Sequence, residues 1–260
     1  MLKGKNAIVT GSTSGIGQAI ATAMAAAGCN VMLNGFGKPE EIEKIKKYLT
    51  DKYKIKVEYS PADMSKPDDI AKMVSDTAKA FGSVDILCNN AGIQFTAPVE
   101  KFPDDKWNAI LAINLSASFH AIKHALPIMR AKKWGRIVNT ISVHGLVGSV
   151  DKAAYVAAKH GLVGLTRVVA LETAQDGITC NGICPGWVLT PLVETQVEDK
   201  AKQEGKDVDK AKHDLVDEKQ PTHLFVKPED IGALAVFLCG ENSSSITGSA
   251  ITIDGGWTAE

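Results

Sequence analysis

The chain has 260 residues, is 45% hydrophobic and 23% charged, and carries a formal net charge of −1 at pH 7. That length can bury a sizeable core, as one large α/β domain or two small ones. The balanced charge excludes the broad basic face that nucleic acid requires, and no run approaches the roughly eighteen apolar residues of a membrane span, so neither partner is expected.

The opening "MLKGKNAIVTG" has too short an apolar stretch for a signal peptide, and "NAIVT" reads as a first strand. It runs into "TGSTSGIG", which places Gly11, Gly15 and Gly17 at a strand-to-helix turn. Glycines there permit a tight turn and close backbone approach to a pyrophosphate, and the following helix offers free N–H groups at its positive end. The second strand, "NVMLN", leads into "LNGFG", where a residue that reads the adenosine ribose belongs. Neither an acid nor an arginine stands there. No basic residue occupies Ser12, Thr13 or Ser14, and Lys38 is the nearby cation. A 2′-phosphate would find no fork of donors, so NAD is expected over NADP.

A third strand, "KVEYS", is followed by "PADMS", whose Asp63 can accept from an adenine amino group or cap a helix. The fourth, "DILCN", ends in "NNAG", with small residues that let the backbone approach a cofactor or simply turn. Helical periodicity covers residues 104–132 and 153–172, with the strand "RIVNTI" between them leading to Ser142. "ITCNGI" and "AITID" complete about seven strands. Strands alternating with helices require right-handed crossovers and a parallel sheet covered on both faces. The expectation is one Rossmann-type, doubly wound α/β domain over residues 1–260.

Residues 190–220 break this rhythm, being highly charged and without strand character. A solvated helical excursion would look the same, but the position just after "CPGW" favours a substrate lid at the carboxyl ends of the strands. The five cysteines, Cys29, Cys88, Cys180, Cys184 and Cys239, are odd in number and scattered. They read as buried free thiols of a reducing cytoplasm, and no second Cys/His cluster turns "CNGIC" into a metal site.

Tyr155 and Lys159 stand four apart, on one face of the 153–172 helix, among Ala153, Ala154, Ala157 and Ala158. A phenol with pKa near 10 is a poor base at neutral pH. A lysine one turn away is expected to stabilise the phenolate and lower that value, making Tyr155 a general acid/base. Ser142 would hold the substrate oxygen. The alanines would allow close approach of cofactor and neighbouring helices.

In order and spacing, "TGSTSGIG", "NNAG", Asn114 in "AINLS", Ser142, Tyr155-x-x-x-Lys159 and "PGW" resemble the short-chain dehydrogenase/reductase family over essentially the whole chain. The resemblance implies an NAD(P)-linked oxidoreductase whose catalytic residues are Asn114, Ser142, Tyr155 and Lys159, with Asn114 anchoring a proton-relaying water chain. It implies a cofactor held by Gly11, Thr13, Ser14, Gly15, Ile16 and Gly17, by Phe36, and by Asp63 and Met64. Asn90, Ala91 and Gly92, the Tyr155–Lys159 pair, and Pro185, Gly186, Val188 and Thr190 would complete that contact.

Within the family, "NNAGIQ", "SVHG", "AAYVAAKHG", "ICPGWVLTPLVE", "EKQP" and "DGGWTA" are similar to members that interconvert a small D-3-hydroxy carboxylate and its 3-oxo acid, usually as homotetramers. That similarity assigns Gln94, Ser142, His144, Lys152, Tyr155, Trp187, Gln196 and Trp257 to the substrate. Lys152 offers a charge for the carboxylate, the polar residues offer donors, and the tryptophans offer an apolar wall. Taken singly, Lys152 reads as a solvated helix start, His144 as a turn residue and the tryptophans as core. Phe95 stands where those members have histidine, Val143 where alanine is common, and "DKAAY" replaces "NKSAY". These departures widen the expected tolerance toward related 3-hydroxy acids. The rival readings are a 3-oxoacyl-thioester reductase, a sugar or polyol dehydrogenase, and a cofactor-sensing module without catalysis. A thioester reductase would need basic residues that the first turn lacks, and a sensor would be expected to have lost Tyr155 or Lys159.

Overall fold

Asn6–Val9 (β1) is buried along its whole length, as are Ile86–Asn89 (β4), Gly135–Thr140 (β5) and Ile178–Pro185 (β6). Continuous burial is what strands covered on both faces require. With Asn30–Asn34 (β2), Val57–Ser60 (β3) and Ala250–Ile253 (β7) they form one sheet in the order β3-β2-β1-β4-β5-β6-β7, every pairing parallel. The computed structural model describes residues 2–205 and 207–259, apart from the side chains at positions 192, 196, 199, 200, 203 and 204. The seven strands coincide with the seven apolar runs of the sequence. After β1 the chain builds outward through β2 and β3, then returns to place β4 on the other side. The carboxyl ends of β1 and β4 therefore flank a switch point, where open α/β sheets bind ligands.

Helices Gly15–Ala26 (α1), Pro39–Tyr53 (α2) and Pro67–Phe81 (α3) follow the first three strands. Proline opens α2 and α3, where its missing N–H costs nothing. One core layer buries Ile20, Met24, Val31 and Leu33 together with Ile231 and Leu238 of Pro228–Cys239 (α9). Here α1 and α9 approach backbone to backbone, because a Cβ at Gly232 would lie only 2.9 Å from the Ala19 carbonyl oxygen. The opposite layer packs Ile70, Met73 and Val74 against Ala121, Ile122 and Met129.

Residues 104–132 are not one uninterrupted α-helix. Asp104–Leu111 (α4) and Ala117–Lys132 (α5) are joined by a π-helical stretch, Ala112–Ser116. The widened turn carries Asn114, and such turns recur at functional sites. Ala153–Glu172 (α6) crosses α4 closely. Ala154 and Ala158 are fully buried there against Ile110, Phe102 and Leu111, so part of the small-residue stripe serves packing within the chain. Residues 190–220 fold as a helical hairpin, Pro191–Glu204 (α7) and Val208–Asp217 (α8), with its own apolar contact among Val193, Val197, Ala201, Ala211 and Leu215.

Candidate active site

The turn after β1 is fastened to the end of β4. Thr10 Oγ1 accepts from the backbone N–H groups of Asn90 (2.9 Å) and Ala91 (3.0 Å), while Asn90 Nδ2 donates to the Thr10 and Gly11 carbonyls. A side chain at Gly17 would collide with the Gly11 carbonyl and Asn90 Nδ2, so only glycine closes this turn. Asn34, wholly buried at the end of β2, accepts from Gly11 N and donates to the Ser60 and Ala62 carbonyls, joining three strand ends. The sequence reading registered that position only as lacking an acid. An amide at a strand end was the available signal, but its partners lie 23 to 28 residues away.

Ser14 precedes α1 with no side-chain capping bond, and the first turn of α1 holds no acidic residue. The unpaired N–H groups and positive helix end are thus left for an anion. Thr13 Oγ1 donates to the Phe36 carbonyl at 2.8 Å and Tyr59 donates to the Gly35 carbonyl at 2.7 Å, fixing the loop past β2. Phe36 is 72% exposed, a platform at the mouth. Asp63 Oδ1 accepts from both Ser65 N and Ser65 Oγ, and these bonds hold its carboxyl below the usual carboxylate range. It does not cap α3, whose N-cap position is Lys66; its bonds close a local turn, and the residue also lines the cleft.

At the other end, Ser142 Oγ lies 3.3 Å from His144 Nδ1. His144 is buried, not a surface turn residue, and its ring meets Tyr155, Trp187 and Trp257 edge-on at 6.0, 6.2 and 5.3 Å between centroids. Burial, reinforced by the Lys152 charge, drops its pKa to about 4, so the imidazole is neutral near pH 7. Lys152 does not stand in solvent either. It is 9% exposed, and its ammonium lies 4.6 Å from the Trp187 ring centroid. Trp187 and Trp257 face one another at 5.7 Å. Among the described residues, Gln94 Nε2 and Trp187 Nε1 are buried donors without a partner.

Lys159 donates to the Thr140 carbonyl at 2.8 Å and lies 5.5 Å from the centre of the Tyr155 ring. Burial lowers its pKa to about 8 and pushes the Tyr155 phenol up to about 12, with a Ser142 hydrogen bond pulling the phenol the other way. The expected lowering of the phenol by Lys159 is not seen in the chain alone: desolvation dominates, and the opposing pull comes from Ser142. Asn114 is 1% exposed, stands behind the cleft, and binds Ile93 twice, accepting from its N–H and donating to its carbonyl. That side chain clamps the loop after β4. Gln196 falls on α7, and its side chain lies outside the described residues.

All other residues assigned from the sequence line one cleft of about 370 Å³, from the Gly11–Gly17 turn through Met64 and Gly92 to Ser142, Tyr155, Lys152 and Trp257, with Pro185, Gly186, Val188 and Thr190 along one wall. Sequence reasoning missed Asn34, Ile93, Thr140, Pro191 and Val193 as further parts of that wall.

The sequence pattern of the enoyl-(acyl carrier protein) reductase family matches residues 11–258. The chain is 54% identical, over the full length of both proteins, to a D-beta-hydroxybutyrate dehydrogenase of Cupriavidus necator. It is 50% identical to a protein of that name from Rhizobium meliloti, over 98% of this chain and 99% of the relative. The chain belongs to the short-chain dehydrogenase/reductase family. Solved relatives agree in fold. L-sorbose reductase from Gluconobacter frateurii, complexed with NADPH and L-sorbose, superposes with a TM-score of 0.95 at 29% identity over 100% of this chain and 98% of its own. An actinorhodin polyketide ketoreductase with NADPH gives 0.92 at 31% identity over 98% of both chains. As a short-chain dehydrogenase/reductase the protein is an oxidoreductase using a nicotinamide cofactor. The glycine-closed turn, the uncapped start of α1 and the small residues Ala91 and Gly92 fit that group.

Proposed function

We propose that this enzyme interconverts D-3-hydroxybutyrate and acetoacetate with NAD. One observation carries the substrate assignment: a buried ammonium, Lys152, shares a cleft with two unpartnered buried donors, Gln94 Nε2 and Trp187 Nε1, and with Ser142 and Tyr155. Buried donors without acceptors are costly, and a carboxylate supplies acceptors and charge together. The Trp187–Trp257–His144 wall leaves room for a small alkyl group. The 54% identical D-beta-hydroxybutyrate dehydrogenase supports the same reading. A polyol would make no use of the buried cation.

When bound, the nicotinamide supplies the hydride acceptor or donor and, oxidised, a positive ring. Ser142 Oγ holds the reacting oxygen, fixed by its contact with neutral His144. Tyr155, held protonated by burial, is poised to donate its phenolic proton to the carbonyl oxygen during reduction. In oxidation the phenolate form of Tyr155, favoured by the positive field of Lys159, takes the alcohol proton and becomes the phenol, while Thr140 keeps that ammonium in place. Asn114 holds the Ile93 loop against the same cleft.

NAD is favoured over NADP because no basic side chain stands at Ser12, Thr13 or Ser14 to pair with a 2′-phosphate. The α7–α8 hairpin is read as a lid, since Pro191 and Val193 at its start line the cleft. A homotetramer is supported by apolar side chains left exposed on α5 and α6, Phe119, Val168 and Leu171. A reducing cytoplasm accords with five free, buried cysteines. The test is NADH formation from D- and L-3-hydroxybutyrate, with NAD and NADP in parallel. Turnover of the D-isomer with NAD is expected. Activity confined to a thioester or polyol, or equal efficiency with NADP, would overturn the corresponding assignment.

A further inference from the structure

Three residues beyond the end of α8 stands Gln220, a polar side chain with 0% exposure. Its Oε1 accepts from the Trp187 N–H and its Nε2 donates to the Leu224 carbonyl. Its backbone N–H donates to Val216 of α8 at 2.8 Å, and its carbonyl accepts from His223 N at 2.7 Å. The slot around it is made by glycines. A Cβ at Gly186 would collide with Gln220 Oε1, and one at Gly255 would lie 3.3 Å from Nε2. The Trp187 carbonyl is held from the same segment, by Val226 N at 2.9 Å, and Val188 pairs with Val226 as a parallel bridge. Both main-chain groups of Trp187 therefore belong to residues 220–226. Gln220 itself lies outside the cleft lining, while the Trp187 ring forms part of it.

We propose that Gln220 is a positioning residue for the substrate cavity: its amide fastens the Trp187 main chain to the end of the α7–α8 hairpin and so sets where the Trp187 wall stands. The inference rests on the 3-hydroxy-acid reading and deepens it. The ring that Gln220 places meets His144, Trp257 and the Lys152 ammonium, all at the substrate end. The Gly11–Gly17 turn at the cofactor end shares none of its hydrogen bonds. Gly186 and Val188, which flank Trp187, line the same cleft, so disturbing Gln220 acts first on acid binding and only secondarily on dinucleotide binding.

Two variants test this. Gln220→Ala removes both side-chain bonds. Gln220→Glu retains both while protonated, its C=O accepting from Trp187 and its O–H donating to Leu224. Once ionised it loses the donor and faces the Leu224 carbonyl with a charge. Burial raises the pKa of such a carboxyl, which brings the change into an accessible pH range. The expected result is a KM for D-3-hydroxybutyrate about tenfold higher in Gln220→Ala, the loss of one buried hydrogen bond. In Gln220→Glu the KM should be near wild type at low pH and climb toward the alanine value as pH rises. The Kd for NADH, titrated by fluorescence, should rise by a smaller factor than the KM in both variants, since the Gly11–Gly17 turn shares no bond with Gln220.

Near-ultraviolet circular dichroism of the stacked Trp187–Trp257 pair reads the same displacement with no substrate present. If Gln220→Ala does not fold, the Gln220→Glu profile decides alone. A flat KM and an unchanged tryptophan spectrum, or an NADH Kd rising by as large a factor as the KM in Gln220→Glu, would overturn the role of Gln220. Absence of wild-type turnover with D-3-hydroxybutyrate would overturn the substrate assignment instead, and the dichroism would still judge Gln220.

Discussion

The Lys152 ammonium lies over the face of Trp187, 4.6 Å from the ring centroid, at a helix start that is buried and not solvated. The stack does two things at once: the aromatic face partly offsets desolvation of the cation, and it holds the cation against the cleft, where the proposed carboxylate substrate would meet it. Its field also reaches His144, whose pKa it helps to lower.

Replacing Lys152 by Met keeps the apolar stem over Trp187 and removes the charge. A hydrogen bond to a charged group contributes about 1.5–3 kcal/mol, so KM for D-3-hydroxybutyrate is expected to rise about 10- to 150-fold. The Kd for NADH should not change. An unaltered KM would show that the carboxylate is held elsewhere.

Gly17→Ala tests the cofactor end. The added methyl meets the Gly11 carbonyl and the Asn90 amide, both already fixed by the staple to β4. Neither is the far end of a flexible chain, so the turn itself must shift. Overpacking of this kind costs about 1–3 kcal/mol, and the Kd for NADH is expected to rise at least about fivefold. Substrate-side residues are untouched, so the Trp187–Trp257 dichroism should remain as in the wild type. Retained NADH affinity would show that the turn does not carry the pyrophosphate.

The strands, their parallel order and the nucleotide turn were legible because local pattern decides them: short apolar runs bounded by turns, and glycines where β1 hands over to α1. The gathering of Ser142, Tyr155 and Lys159 at one cleft was legible as spacing. What escaped depends on distant partners. The π-helical turn at Asn114 follows from two bonds to Ile93, 21 residues away, and nothing in "AINLS" announces it. The Lys152 environment follows from Trp187, whose approach only the folded sheet defines. The Tyr155 acidity is set by burial against a hydrogen bond from Ser142, and the sequence pattern, which pointed to the Lys159 charge, showed no sign of the burial.

His144 gives a stability prediction in acid. Its folded pKa of about 4 lies below the ordinary imidazole value of 6.5, so between those pH values the unfolded chain binds the extra proton. The contribution is fully present above pH 6.5 and is lost as pH falls toward 4. From pH 7 to 5 the wild type is expected to lose up to about 2 kcal/mol through this group, a loss that His144→Gln does not share. Urea unfolding of both proteins at the two pH values checks it, because the carboxylates common to both cancel in the difference. Equal losses in the two proteins would place the imidazole in a wetter setting than the three rings around it imply.

Lys159 makes the complementary case in alkali. Its folded pKa of about 8 lies below the ordinary lysine value of 10.5, so between them the unfolded chain again holds the extra proton, and stability from this group rises with pH. The buried cysteines work against that trend, since burial raises Cys180 to about 12 and Cys184 to about 11 from 9.0, and the folded state then holds protons that the unfolded chain releases. Wild type alone would hide the lysine behind them. The difference between wild type and Lys159→Met isolates it and is expected to move in favour of the wild type by about 1 kcal/mol between pH 8 and 9. Over the same range turnover of the variant should remain at least about a hundredfold lower, because the phenol has lost the cation that helps it release its proton. A variant that matched wild-type turnover while showing the stability difference would make Lys159 a buried charge kept for reasons other than the chemistry of Tyr155.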